Sequence, residues 1–184
     1  MHFELLLTGK IPSGKGGKHA RDRLSLRLQI HEQMKNLWSC EPLRDRRELL
    51  QEHRSDFTAL VERHNRKYIT PVRESLSTAC KLDVVFYEPS GSLRIKSDVA
   101  DPDNRLAGLL DILSIPTSSA LSDDLPSETF TLMEDDKLLW GVSVERRRLL
   151  RSIESSDVFC RVSVKVIPTT AILGNPALID IPGH

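Results

Sequence analysis

The 184-residue sequence has few cysteines, few aromatic residues and no net charge. Its three cysteines, Cys40, Cys80 and Cys160, lie far apart and lack the paired spacing of a zinc site. An odd number of separated cysteines favours reduced thiols and predicts a cytoplasmic protein. Because only 5% of the residues are aromatic, the core must be mostly aliphatic.

Long hydrophobic runs are also missing. No apolar stretch approaches the roughly 20 residues that a membrane-spanning helix needs. The opening MHFELLLTGK has too short an apolar run for a signal peptide, and it carries Glu4. The balance of 26 Lys+Arg and 26 Asp+Glu excludes a uniformly basic nucleic-acid coat and an acidic disordered tail. A chain of this length buries enough surface to fold as one domain without disulfides.

The charges are unevenly distributed along the chain. Residues 101–136 hold nine acids against one base, Arg105, whereas the first thirty residues are basic. Gathered carboxylates repel one another and raise each other's pKa values unless positive charge lies among them. The acidic segment is therefore either a solvated loop or the site of a divalent cation.

The periodicity of the apolar residues predicts an α+β fold. We expect a single domain over 1–184, with a mixed β-sheet of about four strands and helices packed on it. A helical hairpin is predicted at about 20–68 and an extended tail at about 168–184. The other predicted elements are an opening strand over 2–8, a strand over 82–88, a helix starting at Asp101-Pro102, a loop over 115–133, and two strands, 138–146 and 158–167, that could pair with each other.

Two acidic motifs carry the chemistry of the sequence. Asp101-Pro102-Asp103-Asn104 opens a helix, since an aspartate followed by proline matches an N-cap and its first helical residue. Asp135-Asp136 lies just before a strand. Carboxylates from these two places could form an oxygen-ligand site for Mg²⁺ or Mn²⁺. Taken singly, each motif is more often a helix cap or a turn.

The order of the motifs resembles the RusA family of Holliday-junction resolvases. An opening strand followed by Gly9 and Pro12-Ser13 is similar to the start of that family. The DPDN motif at 101–104, the LDIL stretch at 110–113 and the acid pair at 135–136 then follow in the family's order. The matched parts cover roughly residues 1–20 and 82–167.

The resemblance implies a RusA-like fold and Mg²⁺-dependent or Mn²⁺-dependent cleavage of four-way DNA junctions by a homodimer, in DNA recombination and repair. It places the metal ligands on Asp101, Asp103 and Asp136, with Asp111 as a further catalytic acid. We expect the DNA contacts to be basic residues of two kinds: those near the acids, as in the family, and those in a loop that could hold a phosphate backbone. They are Lys10, Lys15, Lys18, Arg94, Lys96 and Arg105.

One position departs from the family pattern. The family's catalytic lysine, four residues after the second aspartate of DxDN, is replaced by Ala107. Two functions therefore stay open: a structure-specific endonuclease, or a catalytically weak or inactive relative that binds nucleic acid or a protein partner. The glycine-rich loop after the first strand approximates a phosphate-binding P-loop, but Gly16 stands where a Ser or Thr should bind Mg²⁺, which disfavours nucleotide hydrolysis.

Overall fold

A computed structural model describes residues 1–12, 19–51, 57–89, 102–117, 124–149 and 158–170. Within these ranges the chain forms two α-helices, seven strands and three short 3-10 turns. In chain order the elements are β1 (His2–Gly9), α1 (Ala20–Ser39), 3-10 turns at Leu43–Asp45 and Arg47–Leu50, β2 (Leu60–Arg63), β3 (Arg66–Ile69), β4 (Thr78–Pro89), α2 (Pro102–Leu113), β5 (Glu128–Phe130), a 3-10 turn at Asp136–Leu138, β6 (Leu139–Leu149) and β7 (Val158–Pro168).

The main sheet has four strands in the order β1-β7-β4-β6. Strand β7 runs antiparallel to both of its neighbours, and β4 runs parallel to β6, so the predicted mixed four-stranded sheet is confirmed. In β4, Leu82, Val84 and Phe86 are buried while Lys81 and Asp83 are exposed, which is the alternation of a sheet with one face on the core. A parallel pair needs a long crossover, and the β4–β6 crossover contains α2.

A second sheet of three strands, in the order β2-β3-β5, takes the place of the second predicted helix. The helical hairpin over 20–68 is therefore wrong beyond α1. The turn between β2 and β3 is formed by His64 and Asn65, whose φ angles of 53° and 58° both lie in the left-handed region. Two such residues in succession define the type I′ turn that joins tight β-hairpins. The helical spacing of the apolar residues in this segment was a coincidence.

Two further predictions about the strands are corrected. The segment 115–133, predicted as a loop, contains β5, which pairs in parallel with β3. Strands β6 and β7 do not pair with each other, because each lies beside β4. The opening strand and the helix that starts at Pro102 are confirmed. The predicted extended tail lies outside the described residues from 171 onwards.

Helix α1 closes the outer edge of β1. The side-chain amide of Gln29 donates to the carbonyl of Thr8 and accepts from its N–H, at 2.8 and 2.9 Å. Gln33 makes the same pair of bonds with Leu6, also at 2.8 and 2.9 Å. Because the two glutamines are four residues apart, they lie on one face of α1. They satisfy backbone groups that an edge strand would otherwise offer to another chain, and they hold α1 against the sheet.

One hydrophobic core joins the helices to both sheets. Leu26, Ile30 and Met34 of α1 meet Leu109 and Ile112 of α2 in the same cluster as the inner face of the main sheet. Cys80 and Cys160 are buried here as free thiols, and burial raises the pKa of each to about 12. Neither described helix has an apolar stretch that could cross a membrane.

Candidate functional site

A cleft of about 210 Å³ lies where α2 ends, and acidic residues from two motifs line it. One wall follows the last turn of α2 and the residues after it. The opposite wall is the segment that leads into β6, and the β2–β3 hairpin contributes one residue. The lining residues are Arg63, Asp111, Ser114, Ile115, Thr117, Glu134, Asp135, Asp136 and Lys137.

Backbone hydrogen bonds bring the two walls together. The N–H of Ile115 donates to the carbonyl of Met133 at 3.1 Å, and the N–H of Met133 donates to the carbonyl of Leu113 at 3.2 Å. The N–H of Glu134 donates to Val72, which precedes β4, at 2.9 Å. The bond to Val72 continues the parallel pairing of β3 and β5, and the two bonds of Met133 join it to the end of α2. The end of α2 and the acidic segment 134–136 therefore line the same cleft.

Asp111 forms ion pairs with two buried arginines of α1. Its carboxylate forms an ion pair with Arg23 and lies 3.7 Å from Arg27. The side chains of Arg23 and Arg27 are only 2% and 3% exposed, and that of Asp111 is 14% exposed. Arg23 and Arg27 therefore supply positive charge to the acidic cluster from the protein interior. Asp111, predicted as a catalytic acid, is also the counter-ion of these buried arginines.

Arg27 also closes the C-terminal end of α2. It donates to the carbonyl oxygens of Asp111 and Ser114, at 2.5 and 2.7 Å. A cation at this end of a helix is stabilised by the carbonyls that lack intrahelical partners. Burial lowers the pKa of Arg27 to about 10, although Asp111 opposes the shift, so the guanidinium stays charged at neutral pH.

Sequence reasoning missed Arg23 and Arg27 because both helices of the expected hairpin were interpreted as charged on their outer surfaces. The available signal was their spacing. Arg23, Arg27 and His31 recur every four residues and therefore share one face of α1. That face is buried, and it packs against α2 and β5.

His31 adds a buried titratable group to this face. Its Nδ1 accepts the backbone N–H of Phe130 at 3.1 Å, so the proton of the neutral ring lies on Nε2. Burial lowers the pKa of His31 below its usual 6.5, while Glu32 and Glu128 act to raise it and Lys35 to lower it.

We expect His31 to make the fold less stable in acid. The unfolded chain binds the proton at higher pH than the folded one, so the free energy of unfolding should be undiminished well above pH 6.5 and fall as the pH drops through and below 6.5. His31→Asn keeps an acceptor near the Nδ1 position and cannot titrate. Urea unfolding at several pH values should show a shallower slope for the variant, and equal slopes would contradict the assignment.

Asp135 and Asp136 differ in their surroundings. Asp135 caps the 3-10 turn before β6, where its Oδ1 accepts the backbone N–H of Lys137 at 3.0 Å. That hydrogen bond is the main reason why the pKa of Asp135 is lowered. Burial acts to raise it, whereas a hydrogen bond with the Asp136 side chain and the charges of Lys137 and Arg63 lower it further. This is the opposite of the raised pKa that crowded carboxylates predict, because donors and cations lie among the acids.

The structure brings two of the four predicted acids into the cleft, Asp111 and Asp136. Asp103 is exposed in the first turn of α2 and does not line it. Lys10 follows β1, and Arg105 is half-buried on α2. The other predicted metal ligand and DNA contacts lie outside the described residues: Asp101, Lys15, Lys18, Arg94 and Lys96.

The described part of the chain contains no group of three His, Cys, Asp or Glu side chains placed to hold a metal ion. The donor chemistry of the cleft nevertheless fits a hard cation, since its anionic groups are all carboxylates. Asp136 forms no ion pair with a described residue, whereas Glu134 is paired with Arg73 at 3.3 Å. Of the predicted ligands that the structure describes, Asp136 lines the cleft and Asp103 does not.

Comparison with known proteins adds no relative. No protein-family model matches the chain, and no curated protein or solved structure does.

Proposed function

We propose that this cleft is the active site of a metal-dependent, structure-specific DNA endonuclease of the RusA type, which resolves four-way junctions. The observation that carries the proposal is that Asp111 and Asp136 line one cleft although they belong to two separate motifs. Both motifs are part of the resemblance, and their convergence is what a shared catalytic site requires.

In this proposal Asp136 would help to hold Mg²⁺ or Mn²⁺ in the cleft. Of the other two ligands that the resemblance implies, Asp103 lies on the first turn of α2 and does not line the cleft, and Asp101 is outside the described residues. The ion supplies positive charge to a phosphodiester and makes a water molecule more acidic. The protein's own contribution is to satisfy the other acids, while Asp136 forms no ion pair with a described residue and shares a side-chain hydrogen bond with Asp135. Arg23 and Arg27 neutralise Asp111, and the backbone of Lys137 binds Asp135.

The proposed partners are branched DNA and a second copy of the chain. The DNA contacts would be the predicted basic residues, of which Lys10 and Arg105 are in the described part of the chain. The homodimer is supported by strand β6, which has β4 as its one neighbour among the strands that the structure describes. This strand exposes 58% of Trp140 and 41% of Val142, apolar surface that a protein interface would cover.

The alternative is a catalytically weak or inactive relative that binds nucleic acid or a protein partner. Ala107 favours it, because a half-buried alanine offers neither charge nor hydrogen bond where the family has a lysine. Asp111 favours it as well, because two buried arginines already engage its carboxylate.

The two functions differ in their response to a restored lysine. We expect the wild type to nick synthetic four-way junctions slowly in Mg²⁺ or Mn²⁺, and Ala107→Lys to raise the rate about tenfold at unchanged junction affinity. The added cation would stabilise charge that develops in the transition state. Ala107→Gln is the matched control, since it adds a side chain of similar length without the charge.

If neither protein nicks junctions, although both bind them and both are stabilised by the metal, the endonuclease proposal fails and the binding module stands. Equal rates for the wild type and Ala107→Lys would show that another cation already acts on the phosphodiester.

A further inference from the structure

We propose that Arg63 binds the phosphodiester in the cleft and is the cation of this site. The inference rests on the proposed function and extends it to a residue that has no place in the resemblance. Arg63 ends strand β2, in a segment whose sequence pattern predicted a helix, and the hairpin turn carries it to the acidic cleft.

Most charged groups around the cleft already have partners. Asp111 is paired with Arg23, and Glu134 with Arg73. Lys137 lies 3.8 Å from Asp135, and its side chain is 84% exposed. Arg63 is half-buried, and its charge helps to lower the pKa of Asp135, but it forms no ion pair with any described residue. The cleft wall therefore presents one guanidinium whose donors are not taken.

The hairpin itself separates the roles of its two arginines. Arg63 and Arg66 face each other in the β2–β3 register, on either side of the turn. Arg66 donates to the carbonyl of Leu125 and is thereby tied to the protein. Since Arg63 and Arg66 are like charges in opposed positions, their pairing does not stabilise the hairpin. The repulsion between Arg63 and Arg66 is unfavourable, and an anionic ligand in the cleft would offset it.

The chemistry of the group selects a phosphodiester as its ligand. A guanidinium presents planar paired donors that match two oxygens of a phosphate, and it stays charged when partly buried. A nearby Asp136 that can help to hold a divalent cation would place positive charge on the same anion from the other side. Arg63 would thereby supply charge that Ala107 cannot.

The test compares the wild type with Arg63→Gln and Arg63→Lys. Arg44→Gln is the charge-matched control, because Arg44 is exposed, is paired with Glu41 and Asp45, and does not line the cleft. Calorimetric titration with the dinucleotide dTpdT in Mg²⁺ measures binding without cleavage. We expect about tenfold weaker binding for Arg63→Gln, a smaller loss for Arg63→Lys, and no change for the control.

Junction nicking by the same proteins separates this inference from the proposed function. Weaker dTpdT binding by Arg63→Gln supports the role of Arg63 even if the wild type nicks nothing, in which case only the nuclease proposal is lost. Equal binding by all four proteins overturns the role of Arg63, whatever the nicking rates, and so does a wild type that does not bind dTpdT. A thermal melt of each variant shows whether it is folded. If Arg63→Gln loses dTpdT binding because it is misfolded, while Arg63→Lys is folded and binds like the wild type, the result counts against a role of the guanidinium.

Discussion

Asp111→Asn is expected to lower the free energy of unfolding by about 3–5 kcal/mol. The substitution keeps the shape of the side chain and removes the negative charge that Arg23 and Arg27 face. Both guanidiniums are almost fully buried, so they cannot recover the lost interaction from water. Urea unfolding with linear extrapolation gives the free energy directly.

The controls for Asp111 separate charge burial from a general loss of packing. Asp124→Asn removes an exposed carboxylate and should change the free energy of unfolding by less than about 0.5 kcal/mol. The double variant Arg23→Met with Asp111→Leu removes an anion and a cation together, and it should recover part of the loss. A loss below about 1 kcal/mol in Asp111→Asn would show that the arginines do not depend on this carboxylate.

Asp136→Asn is expected to abolish metal-dependent stabilisation and to lower junction nicking at least about 100-fold, the upper end of what loss of a group supporting a metal ligand costs. Asp136 is exposed and forms no ion pair with a described residue, so we expect its carboxylate to be accessible to a cation. The two measurements are the melting temperature with and without Mg²⁺ and the single-turnover nicking rate. An ion bound to the native state raises the melting temperature.

Asp135→Asn is the neighbouring comparison for Asp136. Asparagine is as good a helix cap as aspartate and keeps the acceptor for the N–H of Lys137, so the turn should persist. The nicking rate should fall much less than in Asp136→Asn. If Asp136→Asn melts at a temperature that still rises with Mg²⁺ as in the wild type, Asp136 is not a ligand.

Local pattern was enough for much of the fold. The partial alternation of Leu82, Val84 and Phe86 in β4 and the proline at the first position of α2 identify those elements without knowledge of their neighbours. The same holds for the acidic motifs, whose order along the chain led to Asp111 and Asp136. Their meeting in one cleft follows from the backbone hydrogen bonds of Met133 with Leu113 and Ile115 at the end of α2.

The β2–β3 hairpin shows where local pattern was insufficient. Leu60 and Val61 fit a helical stripe as well as a strand, and a short apolar run does not distinguish the two. The decision came from two left-handed turn residues and from pairing with β5, a partner far along the chain. Because the segment is a hairpin, Arg63 faces the cleft.

By itself, then, the sequence determined the α+β class, the main-sheet strands, both helices and the acidic motifs, since each depends on residues that are close in the chain. Only the tertiary structure decided the partners of the charges. Arg23 and Arg27 could have been solvated, but packing of α1 on α2 buried them, and a buried guanidinium must find an anion or carbonyl oxygens. Asp111 and the end of α2 supply both.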